Sequence, residues 1–435
     1  MKTSGLSLFL APRQPWTHRR WWMAQYCALS LLFLFVTPPF EAPDEPHHLD
    51  YVNFVATQRQ LPNQLSKEKR VEGEGHQPPL YYLTLAGLLR LIEMDAKIEY
   101  ELVRRSQPDP RAPKYLSARF LGETDRRSFF SLRLLSWLLS AFAVWLMLSA
   151  AARWFADPEP RAYAFAFVAT LPQLQGLSGA INNDSMALLI SGAAFYAVAV
   201  AYQQSAGRWP FALLAFALLL APWTKKTLLI LLPALIPLGW SAMGTGKGRK
   251  WVVALAVGAV SIVGLMLATH ARYGDPLGTQ MERETLAHLV DEKSLFSPYF
   301  AGSFWKVLFM SFVCRLGWMS VGLPWLGYLA YLFLALASAL GIILGSRDGR
   351  FWFALWCIAL AACSVVYYNL TFEQAQGRFL FPVLAPISWV VGQGMANLFH
   401  PKRLPFVLAL LIGLNLLAIF QAWAFFHAPR FYFGV

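Results

Sequence analysis

The chain has 435 residues, 57% of them hydrophobic and 14% charged, with a formal net charge of +13. So apolar a composition excludes an ordinary soluble domain and predicts a polytopic membrane protein. The basic balance does not point to nucleic acid, because Lys and Arg are spread over many short loops with no concentrated stripe interleaved with aromatics; membrane topology accounts for them instead.

In chain order, Arg19-Arg20 precede an apolar run over 22–39, long enough to cross a bilayer at ~1.5 Å rise per residue. Thr37-Pro-Pro-Phe40 offers no small-residue cleavage site, so the run is expected to stay as a membrane helix. Directly after it comes Glu41-Ala-Pro-Asp44-Glu45-Pro-His47-His48-Leu-Asp50-Tyr51. Ionisable groups massed at the far end of a first membrane helix sit at the water boundary, where a carboxylate stays charged and still reaches a lipid headgroup. The segment 79–92 is short and carries Arg90, which predicts an interfacial helix. Residues 95–127, with Pro108, Pro110 and Pro113 among several arginines, read as an irregular insertion.

Further apolar runs over 131–153, 162–178, 184–203, 209–223, 227–243, 251–270, 323–345, 351–369, 380–398 and 404–426 bring the expectation to about eleven spans in an all-α fold. With the N terminus in the cytoplasm, every inner loop is basic: Arg153 and Arg161, Arg208, Lys247 to Lys250, Arg347 and Arg350, Lys402-Arg403. The outer side receives two long segments, 40–130 and 271–322, the second carrying an amphipathic aromatic stretch over 304–318. The chain divides into a cytoplasmic segment 1–21, a transmembrane module 22–270 that includes outer loop 40–130, a second outer loop 271–322, and C-terminal helices 323–435. Gly246 and Arg350 are expected inside, and Gly75, Asp291 and Val435 outside.

Cys27, Cys314, Cys357 and Cys363 lack C-x-x-C spacing, so neither a zinc site nor a disulfide framework is indicated, and they read as buried small hydrophobes. There is no P-loop, dinucleotide fingerprint or H-E-x-x-H, and no internal repeat of the kind that marks many transporters.

Four polar groupings fall on the outer face under this topology: Asp44 to Asp50, His76-Gln77 ahead of Pro78-Pro79-Leu80-Tyr81-Tyr82, Asn182-Asn183-Asp184, and Glu373 to Arg378. Lys225-Lys226 join them. Loops far apart in sequence thus supply acids and cations to one interface, the pattern an outward-facing active site needs. Each grouping has a plainer reading. Asp44 suits the N-cap of a helix starting at Glu45-Pro46, and Asn183-Asp184 the start of a span. His47 and His48 suit an interface, and Lys225 and Lys226 suit lipid headgroups. Arg378 follows a flexible Gly377 just before a span, a fitting place to grip a phosphate through two hydrogen bonds.

Pro-Asp44-Glu45 after the first span, Pro-Pro-Leu-Tyr-Tyr, Asn-Asp184 at the fourth span, Thr224-Lys225 after the fifth, Leu316-Gly317-Trp318 and Gln-Gly-Arg378 together resemble the GT-C superfamily of polyprenyl-phosphate-sugar glycosyltransferases, over most of the chain. The likeness is nearest to an uncharacterised bacterial branch, with aminoarabinose lipid A transferases and protein O-mannosyltransferases more distant. It implies a bacterial inner-membrane enzyme with its active site facing the periplasm. Asp44 would be the catalytic base, with Glu45 beside it, and Asp184 would serve the acceptor side. Lys225 and Arg378, with Lys226 next to them, would hold the lipid phosphate. Asn183, His48 and His76 are supporting candidates. The lipid A transferases carry Glu-Lys before their Pro-Pro where this chain has His76-Gln77, which leaves a divalent metal on Asp44 and His48, and the donor's identity, open.

The partners so implied are a polyprenyl-phosphate sugar donor, membrane lipids and an unidentified acceptor, with no nucleic acid. A polyprenyl phosphate is a good leaving group, so a carboxylate base and cations suffice, and one base opposite the phosphate favours inversion. The rival expectations are a transporter or flippase of a lipid-linked glycan, and a scaffold in a polysaccharide assembly complex.

Overall fold

The computed structural model describes residues 17–92, 97–104, 116–203, 207–345, 349–428 and 431. Pro108, Pro110, Pro113, Arg347, Val435 and most of segment 1–21 lie outside the described residues. The chain begins with α1 (Arg19–Val36), α2 (Glu45–Gln58) and α3 (Leu80–Leu91). Strands β1 (Tyr100–Arg104) and β2 (Leu116–Phe120) then pair antiparallel, Tyr100 opposite Phe120, where the sequence reads as irregular. Next come α4 (Glu123–Trp154), α5 (Pro158–Ala169), α6 (Pro172–Ser178), α7 (Asp184–Ala201), α8 (Trp209–Thr224), α9 (Leu231–Ser241), α10 (Gly248–Tyr273), α11 (Thr279–Thr285) and α12 (Phe304–Val313). A two-residue hairpin of β3 (Arg315–Leu316) and β4 (Val321–Gly322) leads into α13 (Trp325–Leu344), α14 (Gly349–Asn369), α15 (Leu384–Leu398) and α16 (Leu404–His427).

Among the described residues, seven helical segments are long and apolar enough to cross a membrane, against the eleven expected. They are α4, α7, α10, α13, α14, α15 with its 3₁₀ lead-in from Gly377, and α16 with its lead-in from Pro401. The run 162–178 is broken between α5 and α6, because Pro172 cannot continue the preceding helix and instead sits in the first turn of the next. The run 227–243 starts as a 3₁₀ turn over Lys226–Ile230, and α8 and α9 stay short. The segment read as interfacial is indeed a short helix, α3, which packs on α2.

α4 packs on α7, α7 on α8 and α8 on α10, while α15 lies between α5 and α13. Where α13 meets α15 the backbones nearly touch: a Cβ on Gly341 would lie 1.9 Å from the Gly394 carbonyl oxygen, so only glycine fits. α10 keeps most of its apolar surface uncovered, Val260 and Leu267 being 71% and 64% exposed, as a lipid-facing helix should. The basic loops gather at one end of the bundle. There Lys247 donates to the Ala201 carbonyl and Arg350 to the Trp154 carbonyl, each closing the C-terminal end of a helix.

The opposite end is organised by an ion pair buried from solvent. Glu45 and Arg133 are 0% and 1% exposed. Glu45 Oε1 accepts from Arg133 Nε at 2.8 Å and the Ile181 amide at 3.0 Å; Oε2 accepts from Arg133 Nη2 at 2.7 Å and the Phe40 amide at 2.8 Å. The same guanidinium donates to the Thr37 and Pro38 carbonyls. One clamp therefore fixes the loop before α2, the middle of α4 and the loop before α7, which brings Asp44 and Asp184 to the same place.

Removing one member of such a pair leaves a buried charge uncompensated, at a cost of about 3 kcal/mol or more. Glu45→Ala should accordingly lower thermal stability in detergent by several degrees, and an unchanged melting profile would show that the clamp is dispensable.

Candidate active site

Asp44, His48, Glu74, His76, Gln77, Asn183, Lys225, Lys226, Glu282, Tyr368 and Arg378 line a cavity of about 180 Å³ whose other wall is apolar, with Ile230, Leu286, Ala361, Val365 and Phe379. Tyr367, which also lines it, is 78% exposed on α14, so the cavity reaches the surface of the bundle there.

Asp44 adopts a left-handed backbone conformation (φ 65°), which Asp tolerates better than most residues. The N-cap alternative does not hold for its side chain, which makes no capping bond to α2. Its Oδ2 instead accepts from Arg378 Nη2 at 2.5 Å. The loop carrying it is braced from outside: Trp318 Nε1 donates to the Phe40 carbonyl at 2.9 Å. Trp318 belongs to the β3–β4 turn, where Gly317, Trp318 and Met319 all have positive φ.

Arg378 is held just as closely. A Cβ on Gly377 would come within 2.2 Å of the Phe312 amide nitrogen, and the Gly377 amide donates to Ser311 Oγ at 2.8 Å. The glycine therefore permits close approach to α12 rather than flexibility. Arg378 Nε donates to Gln376 Oε1 at 2.5 Å, and Nη1 lies 3.6 Å from Asp184 Oδ2. Lys225 Nζ bonds Asp184 Oδ1 at 2.5 Å and Lys226 Nζ bonds Glu282 Oε2 at 2.6 Å, so each lysine has a carboxylate partner within the protein.

Around this core, His48 Nδ1 pairs with Tyr82 OH at 2.8 Å, and Tyr82 stacks on Tyr51. The neighbouring Tyr81 points the other way and bonds Ser136 at 2.8 Å, tying α3 to α4. Asn183 Nδ2 donates to Gln77 Oε1 at 3.2 Å, and Gln77 Nε2 lies 3.1 Å from His76 Nε2. Glu74, Glu282 and Tyr368 join the cavity although the sequence reading missed them; they sit in a 3₁₀ turn (Glu74–His76), in the short helix α11 and at the end of α14, without any motif. Glu373, grouped with Arg378 in the sequence, instead pairs with Lys293 at 3.0 Å outside the cavity.

Two of the expected site residues, Glu45 and Asp184, are not among those that line the cavity. Glu45 is adjacent to Asp44 in sequence but does not line the cavity, since all its acceptor capacity is spent on the Arg133 clamp. Asp184, expected on the acceptor side, is 5% exposed and sits behind Lys225 and Arg378 as their counter-ion. As for a metal, Asp44 is held by Arg378 and His48 by Tyr82, and among the described residues no group of three His, Cys, Asp or Glu side chains is placed to hold an ion.

Burial alone would raise the Asp44 carboxyl's pKa, but the Arg378 guanidinium, by charge and hydrogen bond, and to a lesser degree His48 and His47, bring it below its ordinary value. Burial pushes the His48 imidazole below its ordinary value, only partly opposed by Glu74 and Asp44.

The family described as "Predicted membrane protein (DUF2142)" matches residues 112–387. The chain belongs to the DUF2142 family. Its fold is similar to the crystal structure of ArnT from Cupriavidus metallidurans bound to undecaprenyl phosphate, at 14% identity and a TM-score of 0.52, covering 88% of this chain and 61% of that one. The apo form of ArnT gives 13% identity, a TM-score of 0.53, and coverage of 88% and 60%. The DUF2142 chain thus spans about three fifths of the length of these relatives. AglB from Archaeoglobus fulgidus, in complex with an inhibitory peptide and a dolichol-phosphate, is matched at 11% identity and a TM-score of 0.49, over 95% of this chain and 56% of that one. No curated protein matches the chain. The expected GT-C-like fold stands on the likeness to ArnT.

Proposed function

We propose that this DUF2142 protein is a membrane glycosyltransferase that moves a sugar from a polyprenyl-phosphate carrier to an acceptor on the outer face of a bacterial cytoplasmic membrane. The observation that carries the reading is the meeting of Asp44, Arg378 and Lys225 in a cavity whose other wall is apolar. A phosphate on an isoprenoid chain fits that combination: the headgroup meets cations while the chain stays in an apolar groove. The likeness to ArnT, whose crystal structure holds undecaprenyl phosphate, supports the same donor class.

In the reaction Asp44 takes the acceptor's hydroxyl proton as the acceptor oxygen bonds to the anomeric carbon. The bond from that carbon to the phosphate oxygen breaks, and the electron pair leaves with the polyprenyl phosphate. Arg378 and Lys225 offset the charge gathering on the departing phosphate. Attack from the side opposite the phosphate inverts the anomeric centre. Asp184 holds the two cations in place, Gln376 and Gly377 orient the guanidinium, and Glu45 serves the fold. The reading is tested by whether the reconstituted protein consumes a glycosyl polyprenyl phosphate.

A transporter is less well supported, because the ionisable groups collect at helix ends on one side instead of near mid-bundle. The outward orientation rests on the basic loops at the opposite end of the bundle. Cysteines placed at Asp291 and Gly246, both exposed, should label from opposite faces of intact cells, and labelling of both from one side would refute that orientation.

A further inference from the structure

The cations of the cavity are already occupied. Lys225 is on Asp184, Lys226 on Glu282, and Arg378 on Asp44 with Asp184 at 3.6 Å. Four carboxylates, those of Asp44, Asp184, Glu74 and Glu282, face three cations, so negative charge is in surplus before any anion arrives. An incoming phosphate therefore competes with these carboxylates for the cations.

We infer that the Asp44–Arg378 ion pair is the resting state of the site, and that the donor's phosphate enters by displacing Asp44 from the guanidinium. The inference rests on the glycosyltransferase reading and adds to it an order of events: the base is released only when the phosphate is in place.

Asp44 is the acid best placed to give way. Its side chain is 25% exposed against 6% for Asp184. Among the described residues its carboxylate has one hydrogen-bond partner, Arg378. It sits in a short left-handed turn and makes no capping bond that would resist rotation. Asp184, by contrast, opens α7, has its amide bonded to Asn182 Oδ1 at 3.0 Å, and is gripped by Lys225.

Arg378 can change partner without leaving its place. Nε stays on Gln376 and Nη1 toward Asp184, and only Nη2 turns to a phosphate oxygen. Once free of the guanidinium, Asp44 keeps the burial that raises its pKa and loses the main influence that lowers it, so it becomes a better base as the phosphate binds. Without donor it stays tied up and weakly basic, which keeps it from activating an acceptor or water prematurely.

The test uses the full chain in lipid nanodiscs, with undecaprenyl phosphate as the probe and wild type, Asp44→Asn and Glu74→Gln compared. Asp44→Asn should bind the probe about tenfold tighter, because the competing charge-assisted bond is weakened. Glu74→Gln removes a cavity-facing carboxylate that makes no bond to Arg378 and should change affinity by less than about threefold on the same scale. Equal tightening in the two variants would mean general relief of negative charge, and unchanged or weaker binding in Asp44→Asn would mean no competition; either overturns the inference.

Should Asp44→Asn fail to fold, a structure of the wild-type protein with undecaprenyl phosphate decides. Arg378 on the phosphate and the Asp44 oxygens beyond about 4 Å from it support the exchange, and an intact pair overturns it. Failure of the wild type to bind the probe at all would instead refute the donor class, and the exchange with it.

Discussion

Asp44→Asn is expected to lower sugar transfer by at least ~100-fold while leaving expression and thermal stability near wild type. The substitution keeps the side chain's shape and still offers an amide oxygen to Arg378, but removes the group that can take a proton. The carboxylate makes no capping bond to α2, so no helix cap is lost. Paired with the binding result, the expectation has an unusual signature: the variant holds undecaprenyl phosphate more tightly and turns over far more slowly. A purely structural role would weaken both. Transfer measured in membranes holding equal amounts of each protein gives the answer, and near wild-type activity would remove Asp44 from the chemistry.

Arg378→Ala should cost about 100-fold in affinity for undecaprenyl phosphate, from the loss of charge-assisted hydrogen bonds worth roughly 1.5–3 kcal/mol each. It also leaves Asp44 with no counter-ion and Asp184 with Lys225 alone. Lys225→Ala should have a similar but smaller effect. Arg378→Lys should recover only part of the loss, because an ammonium is a point charge and cannot bond Gln376, Asp184 and a phosphate in the planar fork the guanidinium provides. Unchanged affinity in Arg378→Ala would place the phosphate elsewhere.

Most of the cavity was legible in the sequence, for a physical reason. Asp44, Asn183, Lys225 and Arg378 stand immediately beside apolar runs, and the membrane forces the ends of such runs to one of two faces. Basic loops then indicate which face each end shares. What the sequence does not carry is side-chain direction. Asp44 and Glu45 are neighbours, yet successive residues entering a helix turn by about 100°, and one carboxylate faces the cavity while the other faces Arg133. Arg133 itself is hidden in the apolar run 131–153, where a lone guanidinium gives no sign that its partner is 88 residues away.

Helix continuity was equally illegible. The run 162–178 starts apolar, but Pro172 breaks it and Gln173 and Gln175 follow, and the resulting α6 supplies Gln173, whose Oε1 receives the Arg315 amide at 2.6 Å next to the turn bearing Trp318. Glu282 could not have been assigned from its neighbours, because its partner Lys226 lies 56 residues earlier and only the folding of segment 271–322 over the site brings them together. That segment is fixed by backbone pairing: the Glu373 amide donates to Leu289 and the Asp291 amide to Thr371, both at 2.9 Å.

The central claim is that the site breaks the bond between a sugar and a polyprenyl phosphate under the control of Asp44. Purified protein reconstituted in liposomes with a mixed pool of glycosyl undecaprenyl phosphates and membrane acceptors from a bacterial envelope tests it most directly, with release of undecaprenyl phosphate followed by mass spectrometry. The account predicts release in step with sugar incorporated into acceptor, abolished by Asp44→Asn. Release that is absent from the wild type, or equal in wild type and Asp44→Asn, would contradict it.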